Sequence, residues 1–141
     1  MTKPFTLPAL RSLGNLADHA PTVVIAMREQ APLVFSHLQS MRGTLTTGDY
    51  SIQGLQELFS IERKSVGDLV GCCMGENRQR FEKELHRLRG FRFKRLLVVG
   101  SRHEIELQCY HSRIAPKSVL GSLAAWEVRF DLPVVFAPTP R

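Results

Sequence analysis

Asp49, Glu62 and Lys64 are the residues whose types and spacing could do chemistry in this chain. Asp49 follows a glycine where an extended run enters a turn, and Glu62 and Lys64 stand thirteen and fifteen residues later. Side chains two apart on a strand share one face. Glu62 and Lys64 therefore point together, and Asp49 comes beside them if its strand is a neighbour. Two hard carboxylates converging on one point suit Mg²⁺ or Mn²⁺, which prefer oxygen ligands. Such an ion polarises a phosphoryl oxygen and lowers the pKa of a bound water. Lys64 would orient that water or help deprotonate it, and offset charge in the transition state. Taken alone the pattern is loose, since a turn aspartate and a solvated strand face would read the same.

Strands and helices must hold these residues. Residues 22–27, a β-branched apolar run after Pro21, read as a buried and central strand. Residues 44–47 read as a weaker strand closed by Gly48 and Asp49. Residues 57–64 read as a strand with Leu58, Ser60 and Glu62 on one side and Phe59, Ile61 and Arg63 on the other. Helical patterns follow at 66–74 and 76–89. The second carries Phe81, Leu85 and Leu88 at helical spacing and ends at Gly90. Residues 96–99 are another buried strand, ended by Gly100. Pro116 suits the first turn of a helix, and Val119, Leu123, Trp126 and Phe130 repeat behind it. Residues 133–136 form a last strand. Strands alternating with helices imply an α/β domain around a central mixed sheet flanked by helices.

With 141 residues, 43% of them hydrophobic, the chain holds one domain with a real core. Residues 1–20, with Pro4, Pro8 and Gly14, read as an irregular N-terminal arm, and 21–141 as the domain. The net charge of +6 favours a polyanionic partner, nucleic acid or a membrane surface. No stretch approaches the roughly 18 apolar residues that span a bilayer, and the N-terminus has no signal-peptide apolar region. Cys72, Cys73 and Cys109 are odd in number, two of them adjacent, and no CxxC exists. A disulfide framework and a structural zinc site are not expected. The expected location is the cytoplasm, with no membrane partner.

Gly48-Asp49-Tyr50, followed by Glu62-Arg63-Lys64 and then Asp68, resembles the GDY…ERKxxxD signature of the XPF family of structure-specific endonucleases. The short bacterial members are the most similar. The resemblance runs from about Val23 to about Phe136. Met27-Arg28-Glu29 matches the end of the family's first-strand DxRE motif, and 81–85 and 118–123 look like family segments. The resemblance implies a restriction-endonuclease-like fold and metal-dependent cleavage of a phosphodiester in branched, flap or junction DNA. It implies Asp49 and Glu62 as ligands of Mg²⁺ or Mn²⁺ and Lys64 as the catalytic lysine. Arg63, Asp68, Arg28 and Glu29 fall on the supporting positions of the two motifs. Ala26 departs from the pattern, standing where the family places an Asp two residues before the Arg. The chain also lacks the helicase or helix-hairpin-helix parts of many members. It ends soon after its last strand, which suggests truncation or a compact form. Two functions follow: an endonuclease, or an inactive relative that holds DNA or a protein.

Arg78, Arg80, Lys83, Arg87, Arg89, Arg92, Lys94 and Arg95 form a basic run opposed only by Glu82 and Glu84. It is either a solvated helix face or, as the resemblance favours, a surface that follows DNA phosphates. Cys72 and Cys73 suit core packing, and Trp126 suits core or interface. Leu120, Ala124 and Val128 widen the apolar stripe of the last helix. That helix either pairs with a second copy in a homodimer or lies deep within one domain.

Overall fold

In the computed structural model, residues 20–138 are described. All but the last residue of the expected arm, and residues 139–141, lie outside them. Strand β1 (Val23–Ala26) is buried along its whole length. Its β-branched side chains suit a pleated surface covered on both faces. It lies inside the sheet as expected, parallel to β2 (Ser40–Gly43) and antiparallel to β3 (Tyr50–Ile52). Strand β4 (Phe59–Ser65) runs antiparallel to β3. Strands β5 (Phe93–Val99) and β6 (Val134–Ala137) continue in parallel. The six-stranded mixed sheet has the order β2-β1-β3-β4-β5-β6.

The strand expected at 44–47 is a turn. Leu45 drops into a small cluster with Val24 and Ala26, and the Thr47 carbonyl accepts a 3.0 Å hydrogen bond from Ser60 Oγ. Strand pairing falls on either side of that turn, in β2 and β3. Helix α1 (Val66–Gly71) is shorter than the expected 66–74. Ser65 caps it, accepting from the Asp68 amide at 3.1 Å. Helix α2 (Gly75–Arg89) follows. The short helix α3 (Arg102–Glu106), held by a Ser101–Glu104 capping box, went unread in the sequence. Helix α4 (Pro116–Arg129) opens on its proline.

The main core lies between these helices and one face of β4 and β5. Leu69, Val70, Leu85, Leu88, Leu96, Val98, Val119, Trp126 and Phe130 are all buried there. Cys73 is buried in it, Cys72 packs against it, and Cys109 is exposed; all three are free. On the opposite sheet face Val23, Ile25 and Tyr50 pack with Leu33, Phe35 and Leu38. Helix α4 is not buried deep: Ala124 is exposed and Val128 is 87% exposed.

Candidate active site

The register brings three positions into one row. Ile25 faces Tyr50, and Tyr50 faces Ile61. One step along, Ala26, Asp49 and Glu62 are the next residues across β1, β3 and β4, on the sheet face that carries the helices. The Ala26 amide donates to the Asp49 carbonyl at 2.9 Å, and the Asp49 amide to the Ile61 carbonyl at 2.8 Å. Gly48 makes the approach possible. Its φ is +83°, and a Cβ there would come within 2.0 Å of Ser60 Oγ. Only glycine lets the chain turn so tightly over β4 and deliver Asp49.

Three contacts hold Asp49. Its Oδ2 accepts from the Arg63 amide at 2.8 Å. Arg28 Nε lies 3.9 Å from its Oδ1. The same guanidinium donates to the carbonyls of Leu45, at 3.1 Å, and Gly48, clamping the turn itself. The Asp49 and Glu62 carboxyls are close enough for each to act on the other's charge. Burial pushes the Asp49 carboxyl above its ordinary range, against the opposing pull of the Arg63 amide. Glu62, 8% exposed, is pushed up to about 8, first by burial and then by the charge of Asp49. Two such carboxylates side by side are costly unless a cation joins them.

Lys64 shares the strand face of Glu62 and lowers its proton affinity. Its ammonium lies 5.1 Å from the centre of the Phe81 ring, a cation–π contact that fixes its direction. Arg28, Glu62, Lys64, Asp68, Arg80 and Phe81 line one open depression of about 460 Å³. Asp68 stands on its α1 wall. Asn77 and Cys72 also line it, and the sequence reading passed over Asn77 as a site residue. As strand parity predicts, the Arg63 side chain lies on the other face, where it pairs with Glu29 at 3.5 Å and donates to the Ala31 carbonyl. Arg63 serves the site through its backbone amide.

The basic run divides. Arg80, Lys83, Arg87, Arg89 and Arg92 are exposed. Arg80 and Arg87 pair on the surface with Glu76 and Glu84, at 3.4 and 3.0 Å. Arg78 belongs to the fold. It stacks 5.1 Å from the Trp126 ring and bonds Ser122 Oγ at 2.7 Å and the Cys73 carbonyl at 3.0 Å. Lys94 is buried and reaches Asp131 at 3.2 Å, because its β5 position faces the core. Arg95 lies on the opposite sheet face, over the Phe93 ring at 4.0 Å. These three stand apart from the open basic face of α2.

The sheet order and flanking helices define the restriction-endonuclease-like fold. Residues 26–141 match the ERCC4 domain, and the chain belongs to that family, the nuclease domains of the XPF type. Among solved structures it is similar to XPF from Aeropyrum pernix, at 21% identity and a TM-score of 0.66, over 85% of this chain and 55% of that one. It is also similar to XPF from Aeropyrum pernix in complex with DNA, at 19% identity and a TM-score of 0.63, over 85% of this chain and 57% of that one. The chain thus spans little more than half the length of the structures it matches. No curated protein matches it.

Proposed function

We propose that the chain is the catalytic domain of a Mg²⁺- or Mn²⁺-dependent endonuclease that cuts branched, flap or junction DNA. The observation that carries this is the adjacency of Asp49 and Glu62 in one row of the sheet, with Lys64 on the same face. The donor set fits a hard divalent cation: two oxygen ligands, both destabilised as neighbouring carboxylates by burial. No group of three or more His, Cys, Asp or Glu side chains gathers among the described residues. Asp49 and Glu62 would therefore hold the ion with backbone and solvent oxygens. When bound, it would supply phosphoryl polarisation and an acidified water. The chain's own residues do the rest. Arg28 and the Arg63 amide hold Asp49 in place. Lys64 brings positive charge to the phosphate, and Phe81 keeps it aimed. Arg80, Lys83 and Arg87 attract the DNA backbone. The exposed strip of Ala124 and Val128 serves as a homodimer contact, and the protein acts in the cytoplasm.

A second reading, an inactive relative that binds DNA or a protein, is favoured by Ala26. It is fully buried and adjoins Asp49 in the row where a third carboxylate would stand. One experiment separates the two: Mn²⁺-dependent cleavage of flap, fork and duplex DNA by the parent, Asp49→Asn and Ala26→Asp. We expect Asp49→Asn to abolish cutting. Ala26→Asp should raise it at least about tenfold, since one electrostatic contributor is typically worth about 10²–10³ in rate. If all three are equally inert, the binding-module reading replaces the nuclease.

A further inference from the structure

Strands β4, β5 and β6 run in parallel, and parallel strands are normally covered on both faces. On the helix side Ser60, Leu96 and Val98 are fully buried. The other face differs. Phe93 and Val135 are 37% and 43% exposed there, and Phe59, Ile61 and Leu97 are only half-buried. Among the described residues, its cover is the irregular stretch that carries Leu33, Phe35 and Leu38. Those three residues rim a hollow of about 210 Å³, with Val23, Tyr50 and Leu97 in its wall. The polar groups there are already engaged. The Tyr50 hydroxyl accepts from the Leu33 amide at 2.9 Å, and Ser51 Oγ donates to the Phe59 carbonyl at 2.6 Å. A hollow of this kind takes apolar side chains in preference to water.

DNA is a poor occupant for this face. Its two arginines are already engaged: Arg63 with Glu29 and the Ala31 carbonyl, Arg95 with the Lys94 carbonyl and the Phe93 ring. A second copy is a poor occupant too. Paired about a two-fold axis, one patch meets itself, so hollow would face hollow. The chain's own N-terminal arm fits better. It runs into β1 at Val23, and Val23 is itself part of the hollow's wall. Residues 5–16 hold Phe5, Leu7, Leu10, Leu13 and Leu16 against one charge, Arg11. That composition is too apolar for a segment solvated on all sides. Reach is not limiting. β1 and β5 are three strand spacings apart, about 14 Å, which about five extended residues cover.

We propose that residues 5–16 lie across the sheet face opposite the helices, with a leucine of the arm seated in the hollow beside Leu97. The arm supplies the second layer that the parallel strands call for. This inference stands independently of the nuclease reading.

The test uses the whole chain: the parent, Leu10→Ser with Leu13→Ser, Leu97→Thr, and all three substitutions together. Thermal midpoint, sedimentation and hydrogen–deuterium exchange are measured. The arm pair should lower the midpoint by about 5 °C or more, the cost of uncovering two leucines in a domain of this size. Leu97→Thr keeps a side chain suited to a strand and should lower the midpoint as well. The triple variant should lose less than the sum, because substitutions at residues in contact do not add. In the parent, amides of residues 7–16 should exchange at least about tenfold more slowly than in a free peptide, and Leu97→Thr should speed them. An arm pair that melts like the parent, with unprotected amides, overturns the proposal. Strictly additive losses also overturn it, since they put the arm elsewhere. A parent dimer that Leu97→Thr splits, while the arm amides stay unprotected, would give the face to a second copy and overturn the arm's place on it.

Discussion

Glu62 holds its proton in the folded chain long after an exposed glutamate would have lost it. Its carboxyl is moved from an ordinary 4.5 to about 8. Between those values the folded state binds a proton that the unfolded state has released, so stability falls as pH rises. Below about 4.5 both states are protonated and the effect vanishes. Glu62→Gln removes this liability. In EDTA its melting point should gain on the parent steadily from pH 5 to pH 8 and no further above it. Mg²⁺ should raise the melting point of the parent at pH 8 but not that of the variant, since ligand binding requires the charged carboxylate. A parent and variant that melt in parallel across the range would contradict the burial of this charge. Asp49, Glu62 and Lys64 were readable as a group because strand parity and a Gly-Asp turn are local rules. The same parity rule places the Arg63 side chain one step along β4 on the other face. The role of Arg28, reaching the carbonyls of Leu45 and Gly48, depends on tertiary contacts that no spacing announces.

At the scale of elements, α2 shows how one run of charge is shared between structure and surface. Phe81, Leu85 and Leu88 bury one side. Arg80, Lys83 and Arg87 recur three and four apart on the exposed side, where they form one stripe. The pairs of Arg80 and Arg87 with glutamates are exposed and cost little to exchange for phosphate. Arg87→Ala should weaken binding to unrelated DNA sequences alike and lower the slope of log affinity against log salt by about one. Lys94→Ala should leave that slope unchanged and reduce stability instead, since the lysine is buried beside Asp131. Titrations at several salt concentrations check both, and an unchanged slope in Arg87→Ala removes it from the DNA surface. The long helices and β1, β4 and β5 were legible because each repeats its apolar period over several residues. The strands β2 and β3 were not. Ser40–Gly43 is exposed or half-buried throughout and gains its pairing only from β1. The three residues of β3 are too few to show alternation. Helix α3 has five residues and a capping box, a signature that was present in Ser101 and Glu104 and went unused.

For the whole molecule, the helices α1 and α2 and the helix α4 bury the β4–β5 face, leaving the outer side of α4 bare. Val128, 87% exposed, sits in the middle of this strip. If the domain pairs there, sedimentation should show a dimer that Val128→Glu converts to monomer without lowering the melting point, because the residue contributes nothing to the monomer's core. A parent that sediments as a monomer at all concentrations would refute the pairing. The row of Ala26, Asp49 and Glu62 has a further consequence for how the chain assembles. Ala26 ends β1, Asp49 immediately precedes β3 and Glu62 lies on β4, and β3 and β4 pair antiparallel across a short connection. The β4–β5 and β5–β6 pairings are parallel and must wait for helices to cross over between them. Closing a short loop sacrifices less chain entropy than closing a long one, and non-local pairings are slow to form. Asp49 and Glu62 thus face each other across the sheet connection with the shortest loop to close. A pairing closed there ahead of the core meets their repulsion while water still screens it.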